Sequence, residues 1–112
     1  MNWTLVGGLI GLLAVAAGAF GAHGLKSVVT AARLEAFEVA VRYQMYHALA
    51  MVLAGLLGAT GAAWCFLAGT VVFSGSLYLL VLTEQRWLGA VTPFGGVLFL
   101  AGWLLLALHP RH

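Results

Sequence analysis

The chain has 112 residues, of which 63% are hydrophobic and only 7% charged, with a net charge of +2. A soluble domain carries about 25% charged residues, and a chain this short has too much surface for its volume to hide so much apolar side chain from water. The composition therefore points to a bilayer, and it excludes nucleic-acid binding because the few cations are scattered with no basic run.

The first apolar run predicts a span over about 3–22. Trp3 at its start suits an interfacial aromatic belt. No Lys or Arg precedes it, as a signal peptide would require, so it reads as a retained helix. From His23 to Glu38 the chain carries Lys26, Arg33, Glu35 and Glu38, so that stretch lies outside the hydrocarbon. Thr30 fits a helix N-cap there.

From Tyr43 to Thr83, 41 residues pass without an Asp, Glu, Lys or Arg. A single helix of that length would be about 60 Å long, twice the hydrocarbon thickness, so the run must hold two spans and a turn. Gly58-Ala59-Thr60-Gly61 is the turn. The 15 residues that remain before it are too few to cross. The second span must then start near Val39 and cover about 39–58. Arg42 snorkels to the surface, while Gln44 and His47 fall within the membrane. The third span covers about 64–82. The fourth covers about 89–108, with Thr92-Pro93 fitting an N-cap followed by the first helical residue. The expected fold is an all-α, integral-membrane four-helix bundle forming a single domain. Lys26, Arg33 and Arg86 share one side against Arg111 on the other, which places both termini outside by the positive-inside rule.

Depth sorts the polar residues. Helical rise puts Gln44 about 8 Å and His47 about 12 Å below the cytoplasmic surface, with Ser74, Ser76 and Tyr78 in the same layer. Polar groups at membrane depth face the protein interior and are either helix–helix glue or functional. The candidate polar or ligand-binding layer is His23, Tyr43, Gln44, His47, Ser74, Ser76 and Tyr78. Gly18, Gly21, Gly75, Gly95 and Gly96 are read as packing glycines that let helices approach. Gly7/Gly11 and Ala50/Ala54/Gly58 form similar small-residue rows. Glu35, Glu38 and Arg42 share one helix face, where they can pair.

No His-x₃-His or Cys-x-x-Cys spacing is present, so no metal and no cofactor is expected. Cys65 is the only cysteine, which excludes an internal disulfide. Ser74 and Ser76 lack a G-x-S-x-G frame and a third catalytic member, so no catalytic residue is assigned. The expected role is a non-enzymatic module that binds membrane lipids or a partner membrane protein, with homo-oligomers formed through the small-residue faces. The alternative is a small transporter or channel whose polar layer surrounds a titrating His47.

Four segments resemble the YgdD-like family of small membrane proteins, which is filed under a domain of unknown function and has a eukaryotic branch. They are Gly18-Ala19-Phe20-Gly21-Ala22-His23-Gly24-Leu25, Tyr43-Gln44-Met45-Tyr46-His47-Ala48-Leu49-Ala50, Phe73-Ser74-Gly75-Ser76-Leu77-Tyr78 and Thr92-Pro93-Phe94-Gly95-Gly96. The resemblance implies a four-span protein of the bacterial inner membrane and carries no activity with it. Leu82-Thr83-Glu84 departs from the Leu-Thr-Gly that the family shows at that point.

Overall fold

A computed structural model describes residues 1–110. Arg111, the cation assigned to the outer side, lies outside the described residues. The structure is all-α, with four helices. Helix α1 runs Trp3–Phe20 and is capped by Asn2, whose side chain accepts from the Leu5 N–H at 3.1 Å. It continues without a break into a π-helical turn, Gly21–Leu25. The helical path is therefore longer than the 3–22 read from the apolar run. Gly21 opens that turn against Phe37. A Cβ there would sit 2.8 Å from the ring, so only glycine fits at this spacing.

Helix α2 runs Ala31–Leu57, and the Thr30 hydroxyl accepts from the Arg33 N–H at 3.2 Å as its N-cap. At 1.5 Å per residue its 27 residues extend about 40 Å, longer than the hydrocarbon. Val39 is thus where the apolar part of a longer helix begins, because the charged turns before it are equally good helix formers. Gly58 ends α2 in the left-handed region, at φ 76. That one residue reverses the chain, so α3, Thr60–Thr83, starts earlier than the four-residue turn read from the sequence.

Helix α4 runs Leu88–Ala107 and holds Pro93 inside it. The Thr92 hydroxyl lies 3.3 Å from the Leu88 carbonyl, so Thr92 is an internal residue and not the N-cap. The helix is already under way when the proline arrives, which leaves the missing donor in its second turn.

The helices pack in chain order, α1 on α2, α2 on α3 and α3 on α4, while α1 and α4 share no broad face. The result is a flattened bundle of 50 × 26 × 18 Å. Among the described residues three segments are long and apolar enough to cross a membrane: Trp3–Leu25, Thr60–Thr83 and Leu88–Ala107. At one end Trp3, Met51, Ala54, Ala62, Ala63 and Phe66 form a core. At the other, Leu25, Phe37 and Val81 form a second. Glycines set the close approaches. A Cβ on Gly95 would meet the Phe73 backbone, and one on Gly102 would lie 2.7 Å from the Phe66 ring.

Candidate functional site

Between the two cores the helices are joined by polar side chains. Gln44 is buried on α2, between α1 and α3. Its amide donates to the Ile10 carbonyl of α1 at 2.9 Å, and its oxygen accepts from the Tyr78 hydroxyl of α3 at 2.6 Å. One side chain thereby ties three helices. A turn away, the Ser74 hydroxyl donates to the Ala40 carbonyl at 2.7 Å. On the α3–α4 side, Ser76 and Thr92 hydroxyls lie 2.6 Å apart. Two arrangements use one hydrogen per hydroxyl and leave neither unmatched: Ser76 donating to the Phe73 carbonyl at 2.9 Å with Thr92 donating to Ser76, or Ser76 donating to Thr92 with Thr92 donating to the Leu88 carbonyl.

His47 joins α2 to α4. Its Nδ1 is 2.7 Å from the Tyr43 carbonyl, and its Nε2 is 3.0 Å from the Trp103 indole nitrogen. A carbonyl only accepts and an indole N–H only donates. The two contacts together require Nδ1–H and a bare Nε2, which is the neutral ring in one defined tautomer. Adding a second proton would set two donors against each other at Nε2. The Phe99 ring stacks on the imidazole at a centroid distance of 3.6 Å and an interplanar angle of 5°. Both nitrogens and one ring face are therefore occupied by the protein itself.

Outside this contact, α2 and α4 diverge and leave a lateral groove of about 620 Å³. Tyr43, Tyr46 and His47 form one wall. Pro93, Gly96, Val97, Leu100 and Trp103, on one face of α4, form the other. Phe73 and Phe99 lie between, with the Tyr43 ring 4.8 Å from Phe73 and 6.3 Å from Phe99. Gly96 keeps the groove open, because nothing lies within 4 Å of where its Cβ would be. The size falls in the range of small-molecule sites, and the lining is aromatic and aliphatic with two exposed phenols.

A family model described as a protein of unknown function, DUF423, matches residues 17–96. A UPF0382 membrane protein of Staphylococcus haemolyticus is 46% identical over 108 residues, covering 91% of this chain and 88% of that protein. The UPF0382 membrane protein YwdK of Bacillus subtilis is 43% identical over 110 residues, covering 91% and 89%. The chain belongs to the DUF423 family. It is a small membrane protein, as those relatives are named. No solved structure matches it.

The matched region of this DUF423 protein contains all four segments singled out from the sequence, and it ends before Phe99 and Trp103. The structure brings Gln44, Ser74 and Tyr78 together across α1–α3 and places Ser76 between α3 and α4. His23 does not join them. It is exposed on the π-helical turn, at the far end of α1. Tyr43 is 39% exposed and lies on the groove wall. Among the expected packing glycines, Gly18, Gly21 and Gly95 face neighbouring helices. Gly75 and Gly96 make no close approach within the chain, because open space lies where their side chains would be. Gly7, Gly55, Gly69 and Gly102 take that role as well, against Ala48 and Val52, Trp3, Phe99, and Phe66. Trp103, the partner of His47, was missed. A tryptophan inside an apolar span carries an N–H that needs an acceptor, and that requirement was the available signal.

Proposed function

We propose that this DUF423 protein is a non-enzymatic membrane module that holds the hydrocarbon chain of a bilayer lipid in the α2–α4 groove. The groove carries this reading. Two of the helices that line it, α3 and α4, are apolar enough to cross a membrane, and it opens sideways to where hydrocarbon is the surrounding medium. An open apolar channel in that medium fills with apolar chain, and the aromatic walls give it rigid faces to pack on. The Tyr43 and Tyr46 hydroxyls supply hydrogen-bond donors to the polar end of such a lipid. The polar layer supports the same reading over a solute path. Gln44, His47, Ser74, Ser76 and Tyr78 already spend their groups on helix-to-helix bonds.

In this reading α2 is a fourth span over about 39–58. The end that gathers Lys26, Arg33 and Arg86 faces the cytoplasm, and both termini lie outside an inner membrane. The narrower YgdD-like grouping rests on the four segments above.

Native mass spectrometry of protein extracted in mild detergent, compared with Gly96→Phe, tests the proposal. The Cβ that the substitution adds meets nothing within 4 Å, and the ring beyond it enters the groove. Wild-type protein is expected to keep one lipid through gas-phase activation, and Gly96→Phe to lose it with unchanged thermal stability. Wild-type protein that carries nothing, or a variant that keeps the same lipid, overturns the reading.

A further inference from the structure

A second recess lies on the opposite side of α2, where it crosses the end of α1. It measures about 280 Å³ and is lined by Gly18, Gly21, Ala22, Glu38, Val41 and Arg42, among others. Gly18 lies beside Val41 and Gly21 beside Phe37, so Glu38 and Arg42 stand alongside the last turns of the Trp3–Leu25 span. Both charges are exposed, and among the described residues the ion pair within 4 Å is Arg33–Glu84, not Glu38–Arg42. At the edge of the hydrocarbon, where Glu38 stands just outside it and Arg42 just within, an unmatched opposite pair is drawn to a complementary partner more strongly than in bulk water.

We infer that this face binds a second copy of the chain, with Glu38 of each copy paired to Arg42 of the other. Copies of one chain insert in the same orientation, so a two-fold axis between them runs along the membrane normal. Such an interface is isologous, and each residue pair occurs twice. Glu38 and Arg42 are one helical turn apart. Two α2 helices crossing at this point bring each acid to the other's base, as flanking charges do in parallel coiled coils. The small, exposed Ala22 side chain leaves room for that approach, beside Gly18 and Gly21, which Val41 and Phe37 already close over. The α2–α4 groove takes no part, so this inference stands apart from lipid binding.

Charge reversal tests it. Ala22→Cys in a Cys65→Ser background places one thiol in the recess, and oxidative crosslinking is read in native membranes. Glu38→Arg alone, or Arg42→Glu alone, sets like charges face to face and should cut the crosslinked dimer by at least about tenfold. The double reversal, Glu38→Arg with Arg42→Glu, should restore it. Co-expression of the two single variants should restore it too, because their mixed dimer sets opposite charges across the interface while like charges remain one turn apart within each helix. A mixed dimer as scarce as the single variants' own overturns the inference. The inference fails if the dimer is absent in the starting protein or insensitive to the single reversals. It also fails if the double reversal stays as low as the singles, or if the thiol captures only a protein of another mass.

Discussion

His47 shows how a residue that looks like a proton carrier is held as a structural joint. Its tautomer follows from its two partners, and the stacked Phe99 ring covers one face. An interhelical hydrogen bond inside a membrane protein contributes about 0.6 to 2 kcal/mol. His47→Leu and Trp103→Phe should each lower thermal stability in detergent by an amount in that range. The double variant should lose less than their sum, since either change alone already breaks the shared bond. Strict additivity in that cycle would mean the bond contributes nothing. Nitrogen-15 spectra of labelled protein should show His47 with a protonated Nδ1 and a bare Nε2. This layer was partly legible beforehand. Gln44, Ser74, Ser76 and Tyr78 could be grouped because helical rise fixes depth. Which partner each would choose was not legible, because azimuth around a span depends on packing angles that no local pattern encodes. Thr92 was misjudged for a related reason. Threonine before proline is the commonest look of a helix start, and only the neighbouring Ser76 reveals that the hydroxyl points inward.

At the scale of helices, the close approaches are set by glycine, and their positions decide which substitutions are tolerated. A Cβ on Gly95 would run into the Phe73 backbone, 2.7 Å from its Cα, and backbone cannot move aside as a side-chain tip can. Gly95→Ala should therefore destabilise by roughly 1 to 3 kcal/mol, the range for overpacking a core. Gly75→Ala, with open space around it, should be neutral or slightly stabilising, because alanine is the better helix former by up to about 1 kcal/mol. Equal melting temperatures for the two variants would contradict this placement. The sequence made all five glycines look alike, since a small residue at membrane depth does not say which way it faces. The α3 C-terminus teaches the converse lesson. Glu84 adopts φ 57, a conformation natural to glycine and uncomfortable for any other side chain but asparagine or aspartate. Its carboxylate is 3.7 Å from Arg33, whose guanidinium also donates to the Val81 carbonyl at the helix end. That exposed pair contributes little. Glu84→Gly should raise stability by about 1 kcal/mol, by relieving the left-handed strain. The departure from Leu-Thr-Gly noted in the sequence is thus a backbone cost at one residue.

For the molecule as a whole, the break between α2 and α3 followed from length. Forty-one residues without a formal charge cannot form one helix across a bilayer, and the reversal at Gly58 is where arithmetic required it. The shape did not follow. That α1 and α4 share no broad face, leaving a groove on one side of α2 and a recess on the other, depends on helix–helix crossing angles. The proposed orientation rests on a small charge bias. Arg33 reaches Val81 and Glu84, so the loop between α1 and α2 and the loop between α3 and α4 are joined at one end. At the opposite end the His109 imidazole lies 3.0 Å from the Leu57 carbonyl, close to the Gly58 turn. The two ends should therefore label as units. In a Cys65→Ser background, single cysteines replacing Ser27 or Gln85 should be shielded from a membrane-impermeant maleimide in intact cells and react once the membrane is opened. A cysteine replacing Thr60 should react in intact cells. Mixed labelling, with Ser27 and Gln85 positions on different sides, would contradict the four crossings themselves. The reverse pattern, with both inner loops labelled from outside, would keep the crossings and invert the molecule. Arg33 separates these outcomes further. Since it ties the two loops through backbone and carboxylate, Arg33→Ala should loosen that end and speed proteolysis of the loop between α1 and α2. The labelling side should not change, because insertion follows the several cations near that end and not one of them.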